Sequence, residues 1–438
     1  MLIIERTEPM NTISRRSFFQ GAAAALSATR VMGANDRINI GIIGIGGRGT
    51  THLASYVKIP ECQVTALCDV NQAAREHAQA RLQSATSTKA KEYKTMRELF
   101  ADNDVDAVSI ATPNHWHALA TIWACQAGKD VYVEKPASYN VHESWRMVEV
   151  ARQTNRMVQV GSQSRSLPRM IRAMQLLNEG VIGKVYMAKG LCFKRRKSIG
   201  RTPVEPVPAG LDWSEFLGPA PMRPYTKNRF AYNWHWFWDT GNGDIGNQGI
   251  HQMDICRWGL GEVKMPQSAV STGGKYVYDD DQETPNTQLA TLDYGDKEIV
   301  FEVRGLLTGP EAGNPAKGGN SIGNLFLGSE GWMWTTGSSL KVYKGETSEL
   351  VMDETGRSEE DSTVLHMKNF LAACRSRNYR QLNAEVEIGA TSAILVHFAN
   401  ISYRVGRRLT WDDAKKGFGN DSEANKLLTR DYRKPYVV

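Results

Sequence analysis

Residues 37–49 read RINIGIIG followed by IGGRG, and this run decides the fold. The first part (37–44) is an apolar run ended by glycine, the pattern of a strand buried on both faces. Gly44-Ile45-Gly46-Gly47-Arg48-Gly49 then spells G-x-G-x-x-G between that strand and a helix, the context in which the motif carries meaning. Gly44 permits the tight turn, Gly46 lets the backbone approach a pyrophosphate, and Gly49 lets the helix pack on the strand. The helix N-terminus offers N–H donors and the positive end of its dipole to phosphates. Asp69 ends the second strand, 20 residues after Gly49. A carboxylate there accepts from the adenosine ribose hydroxyls and repels a 2′-phosphate. The expected cofactor is NAD, with NADP left open by Arg48 and Asn71.

Outward from this turn, strands at 63–69, 105–112, 130–134 and 157–161 alternate with helices at 50–58, 73–82, 95–100, 117–127 and 142–153. That order predicts a parallel sheet of right-handed βαβ units. After residue 161 the alternation stops. A helix (170–180) and a strand (184–193) precede an excursion with six prolines between Pro203 and Pro224. Strand-like segments follow at 268–278, 288–294, 297–305, 321–327, 331–335 and 339–343, with helices at 364–376 and 386–405. The expected fold class is α/β: a Rossmann dinucleotide-binding domain (35–165), then an α+β domain (166–438) with an open, mainly antiparallel sheet for substrate binding and oligomerisation.

The 438 residues are 41% hydrophobic and 23% charged, an ordinary globular balance. The net charge of +6 includes four arginines and two glutamates in residues 1–34, so the rest carries too little charge to argue for a nucleic-acid partner. Six cysteines form no C-x-x-C pair and read as small buried hydrophobes. No run of 18 apolar residues exists to span a membrane. Residues 12–34, TISRRSFFQGAAAALSATRVMGA, have the layout of a secretory leader, and Arg15-Arg16 with Phe18 resembles a twin-arginine signal. A disordered basic arm is the plainer alternative. The signal implies a periplasmic or secreted protein, exported folded with its dinucleotide. The weak cleavage region leaves open an uncleaved, membrane-tethered form.

Glu134-Lys135-Pro136 at the end of the fifth strand, Ala111-Thr112-Pro113-Asn114 at the end of the fourth, the glycine turn and Asp69 together resemble the Gfo/Idh/MocA family, the glucose–fructose oxidoreductase and inositol dehydrogenase group. The resemblance implies that Lys135 lies beside the nicotinamide and the reacting hydroxyl, and that Thr112, Pro113, Asn114 and Glu134 join Gly47 and Arg48 around the dinucleotide. Desolvation disfavours a lysine's charge, so Lys135 can take the hydroxyl proton as hydride leaves the carbon. It further implies a homo-oligomer, dimer or tetramer, paired through the open sheet.

On a helix expected from Ile245, Asn247, His251 and Asp254 are spaced to share one face. The family's oxidoreductases carry Asp-x-x-x-His there, the histidine as acid/base; His251 matches it, and Asn247 replaces the aspartate. Asparagine can hydrogen-bond a sugar hydroxyl but cannot hold an imidazolium by charge. Asp254 is expected to orient His251 or to pair with Arg257. Trp234, Trp236 and Trp238 read either as one wall of an extended segment, stacking on a sugar, or as core. Tyr225, Arg229 and Tyr232 are further contacts for the sugar. His115-Trp116-His117 reads as a helix start and not as a metal site. Lys194-Arg195-Arg196-Lys197 reads as a solvated loop, or as a site for phosphate or an acidic sugar. The expected activity is hydride transfer between tightly held NAD(P) and a sugar or cyclitol hydroxyl. The alternatives are an NAD-dependent glycoside hydrolase or lyase that oxidises C3 transiently and eliminates the aglycone, and a non-catalytic sensor.

Overall fold

The glycine turn sits at the middle of a six-stranded parallel sheet with the order β3-β2-β1-β4-β5-β6. Its strands are β1 (Ile38–Ile43), β2 (Cys62–Cys68), β3 (Lys91–Tyr93), β4 (Ala107–Ile110), β5 (Asp130–Val133) and β6 (Val158–Val160). The computed structural model describes residues 37–309, 320–356 and 360–438; the expected leader, 1–34, lies outside them. Strands β4 and β5 are buried throughout, because helices cover both faces of a parallel sheet. These helices are α1 (Arg48–Tyr56), α2 (Gln72–Thr86), α3 (Met96–Phe100), α4 (Asn114–Gln126) and α5 (Val141–Gln153).

The second half builds a nine-stranded sheet around β7 (Val185–Phe193). To one side lie β11 (Ser321–Gly328), β12 (Gly331–Thr335), β13 (Ser339–Lys344) and β14 (Glu349–Thr355). To the other lie β10 (Glu298–Arg304), β9 (Thr287–Asp293), β8 (Ser268–Gly274) and β15 (Leu409–Thr410). Only the β7–β10 pairing is parallel; the other pairings run antiparallel. The sequence pattern did not anticipate β14. Most of its residues are exposed, so it has no apolar alternation to display. The remaining helices are α6 (Pro168–Asn178), α7 (Trp213–Leu217), α8 (Gly243–Asn247), α9 (Gly249–Gly259), α10 (Ser362–Ser376), α11 (Val386–Val405) and α12 (Ser422–Lys426).

Helix α11 is buried on nearly every side, as a helix apolar all round should be. Val386 and Ala393 join the apolar cluster beneath the parallel sheet. Ile394, Leu395, Val396 and Phe398 join the cluster beneath the large sheet. From α10, Met367 and Phe370 pack with Ile40 and Tyr132. Helices from the last quarter of the chain therefore complete the layer that the first third begins, and Ile38–Val438 forms one compact unit.

Asp254 belongs to this interior. It accepts from Arg165 at 2.7 and 3.0 Å and from Ser392 at 2.7 Å, whereas Arg257 pairs with Glu262 at 2.7 Å. Asp254 thus lies in the interior, one of the two expected placements, but its partner is corrected from Arg257 to the buried guanidinium of Arg165, and it does not orient His251. Removing one partner of such a pair leaves an uncompensated buried charge. We expect Arg165→Met to lower stability by about 3–5 kcal/mol, read as a fall in the urea midpoint at pH 7.

Candidate active site

The glycines of the turn differ in what they accommodate. Gly44 has φ +81°, and an added Cβ would lie 2.7 Å from the Thr112 nitrogen. A Cβ on Gly49 would lie 2.1 Å from the Gly44 oxygen. Gly46 and Gly47 would meet nothing within 4 Å; they line a cleft of about 550 Å³. Asp69 braces the turn, accepting from the Ile45 amide at 2.8 Å and the Asn71 amide at 2.9 Å. Burial raises its pKa against those donors. Thr112 lines the same cleft, and its hydroxyl oxygen is buried and without a hydrogen-bond partner among the described residues. Open glycine backbone at a helix start, an orphaned hydroxyl and a carboxylate at the end of β2 are the donor and acceptor set a dinucleotide requires.

Glu134 closes the inner wall. One of its oxygens faces Arg48 Nε at 2.9 Å, His52 Nε2 at 3.0 Å and Gln163 Nε2 at 3.0 Å. Burial alone would raise its pKa, but Arg48, His52 and Lys135 outweigh burial and hold it well below the usual carboxylate range. Lys135 projects from the next position. Its Nζ donates to the Asn247 carbonyl at 2.9 Å, and burial lowers its pKa.

The sequence pattern implied one continuous helix through Asn247 and His251. The helix breaks at Gln248, where α8 hands over to α9. The His251 amide bonds to the Gln248 carbonyl at 3.2 Å, not to Asn247. That break frees the carbonyl on which Lys135 rests. The Asn247 side chain donates to the Tyr232 hydroxyl at 2.8 Å, and Tyr232 also accepts from Arg196 at 3.0 Å. His251 is half-buried one turn on; burial and the nearby Lys135 lower its pKa to about 3. Pro113 and Asn114 line the cleft at the start of α4, with the Asn114 amide donating to Asn242 at 3.0 Å.

Several residues depart from expectation. The tryptophans form no single wall, because 233–236 coil into a 3₁₀ turn, which fans the side chains apart. Trp234 lines the cleft and stacks on His235 at 3.5 Å between ring centroids. Trp236 is buried behind it under Arg196, and Trp238 faces Tyr403. Tyr225 is off the cleft lining and packs edge-on against Trp213 in the aromatic cluster that includes Phe216, and Arg229 pairs with Glu283 at 3.1 Å. The basic run is not a solvated loop: Lys194 and Arg196 are half-buried, and Arg196 clasps buried Asp244 at 2.9 and 2.6 Å. His115 and His117 are buried with both ring nitrogens against main-chain carbonyls.

Sequence reasoning missed His235. It lines the cleft with Nδ1 on the Tyr232 carbonyl at 2.6 Å, and burial holds its pKa well below the usual value, so the ring is neutral. Its signal was its place among tryptophans, which drew the reading to aromatics alone. The proline-rich excursion was likewise expected to be irregular. It carries α7, whose Glu215 and Phe216 roof the adenosine end of the cleft. The roof is pinned below by Asp212 N to Val70 O at 3.0 Å and Gln72 N to Gly210 O at 2.9 Å. Above it the C-terminal segment adds Arg433 on the Gly218 and Ser214 carbonyls, at 2.8 and 2.6 Å, and Tyr436 on Glu215 at 2.6 Å.

Residues 38–162 match the Gfo/Idh/MocA oxidoreductase family, NAD-binding Rossmann fold, and residues 163–295 and 328–438 match its C-terminal alpha/beta domain. The chain belongs to this family. A glycosyl hydrolase family 109 protein of Saccharopolyspora erythraea is 29% identical over 218 residues, 48% of this chain and 42% of that protein. One from a Shewanella species is 27% identical over 154 residues, 34% of each chain. The chain thus spans less than half the length of these relatives. Among solved structures, the WlbA dehydrogenase of Bordetella pertussis, in complex with NADH and UDP-GlcNAcA, superposes with a TM-score of 0.63 at 19% identity, covering 86% of this chain and 99% of that one. Levoglucosan dehydrogenase, in complex with NADH and levoglucosan, gives 0.65 at 17% identity, covering 85% and 99%. Among the described residues, no helix is long and apolar enough to cross a membrane, and no group of three or more His, Cys, Asp or Glu could hold a metal.

The depressed pKa of Glu134 has a definite sign in stability. Its contribution is present above the ordinary value of 4.5 and is lost as pH falls through the lower native value. We expect Glu134→Gln to cost about 2 kcal/mol at pH 7. The gap to wild type should narrow below pH 4.5, as read from urea midpoints at pH 7 and pH 3.5.

Proposed function

We propose that this chain oxidises a hydroxyl of a sugar, with Lys135 taking the hydroxyl proton as hydride passes to NAD. The observation that carries this is Lys135 itself: a buried amine with lowered pKa, fixed on the Asn247 carbonyl, in the same cleft as the glycine turn. Bound NAD supplies the hydride acceptor. Burial makes the deprotonated form of Lys135 easier to reach, and in that form the amine accepts the hydroxyl proton in the transition state. Asn247 and Tyr232 offer hydrogen bonds to the ring hydroxyls and Trp234 an apolar face, while His251 stands one turn beyond Asn247 and outside the cleft lining. The Rossmann architecture with Asp69 braced at the end of β2 supports NAD over NADP.

A second reading has its own support. In a redox-neutral glycoside cleavage, a second base must remove the C2 proton and an acid must assist the departing aglycone, beyond the group at the oxidised hydroxyl. His235 is a neutral imidazole on the cleft lining, beside Tyr232, and the curated relatives above are named as glycosyl hydrolases.

Export by the twin-arginine route with the dinucleotide already bound, and pairing of subunits through the open sheet, belong to the same proposal. The doubly pinned roof over the cleft supports a retained cofactor. The purified protein should carry one dinucleotide per chain, identified by mass and by absorbance at 260 and 340 nm.

Lys135→Met should lower kcat by about 10²–10⁴-fold while dinucleotide content stays at the wild-type level. The assay follows 340 nm and 400 nm with free sugars and nitrophenyl glycosides. Net NADH formation supports the dehydrogenase reading; sustained nitrophenol release without NADH selects the hydrolase reading instead.

A further inference from the structure

The charge balance beside the helix break at Gln248 is uneven. Lys194 and Arg196 extend β7 toward the break at Gln248, close enough to Lys135 that the ammonium of Lys194 helps lower the Lys135 pKa. Arg196 is committed: two of its nitrogens hold Asp244, and the third donates to Tyr232. Arg195 turns to Tyr278 and the Gly305 carbonyl. Lys194 is different. It is half-buried, its Nζ donates to the neutral side-chain oxygen of Gln248 at 2.9 Å, and among the described residues no carboxylate lies within ion-pair distance of it. Burial and Arg196 disfavour its charge. Of the neighbouring basic groups, Arg196 is paired with Asp244 and Lys135 is drawn chiefly to Glu134, so Lys194 faces Gln248 with its nearby carboxylate, Asp244, already held by Arg196.

A partly desolvated ammonium without a counter-charge is costly. A ligand that brings the missing anion removes that cost on binding and gains a charge-assisted hydrogen bond. Two of the three Nζ donors of Lys194 remain for it, because Gln248 takes one. Gln248 follows Asn247 in the chain, so this ammonium stands beside the same helix break that holds Lys135 and Asn247.

We propose that the sugar bound here carries an anionic substituent and that Lys194 recognises it. The proposal rests on the sugar reading above and names its substrate class. The anion can be a uronic carboxylate or a sulfate ester; both present oxygens that accept from an ammonium, and the ligand set below separates them.

The test measures binding, not turnover, so its failure is distinct from failure of the proposed reaction. The NAD-loaded full chain is titrated by calorimetry with methyl glucuronide, methyl glucoside 6-sulfate and neutral methyl glucoside. At least one anionic ligand should bind 10-fold or more tighter than the neutral one, and whichever does so identifies the anion. That preference should shrink as salt rises from 50 to 500 mM. Lys194→Gln should bring the ratio of anionic to neutral affinity close to one, and Lys194→Arg should restore most of it, with both variants checked for wild-type dinucleotide content and melting temperature. Equal affinity for charged and neutral glycosides, no measurable binding of the anionic ones, or a preference that survives Lys194→Gln overturns the proposal. If Lys194→Gln does not fold, the salt dependence and the ligand preference of the wild-type chain decide it alone.

Discussion

A buried carboxylate must be compensated, and the arrangement around Glu134 follows from that requirement. The residue ends β5 where the parallel sheet opens toward the cleft. Compensation comes from α1 through Arg48 and His52, and from the segment after β6 through Gln163. Three side chains from two other chain segments are thereby drawn to one oxygen atom. Because Glu134 is held ionised and immobile, the residue after it leaves the sheet at a fixed point. Lys135 is thus presented into the cleft from a rigid base, the condition under which a proton-transferring group is useful.

The second anchor of Lys135 comes from a local failure of regular structure. A continuous helix would have spent the Asn247 carbonyl on the His251 amide. The break at Gln248 withdraws that amide by one residue and leaves the carbonyl to the lysine. The same break places the Asn247 side chain on Tyr232 and His251 one turn beyond. Asn247 is therefore engaged through both its main chain and its side chain.

How much of this could be read in advance depends on the kind of constraint involved. The parallel sheet was legible because its strands are continuous apolar runs punctuated by glycine, and the turn at Gly44–Gly49 could be assigned glycine by glycine. Lys135 and Asn247 were legible from their motifs. The helix break was not, since neither Gln248 nor Gly249 forces one. The 3₁₀ turn at 233–236 was hidden because alternating tryptophans mimic strand periodicity. Asp254 was misassigned because its partner, Arg165, lies 89 residues away, and helical spacing reports only neighbours on the same helix. The role of Lys194–Lys197 was obscured because a basic run in a sequence does not show which members find carboxylates.

The roof over the adenosine end of the cleft is fastened by Arg433 and Tyr436, nearly 300 residues after Lys135. At a synthesis rate of about 10 residues per second, some 30 s separate the making of the base of the cleft from the making of its fastener. The parallel sheet waits equally on α10 and α11 for its apolar cover. The roof of the cleft therefore has all its fasteners only once this C-terminal segment has docked on Ser214, Glu215 and Gly218.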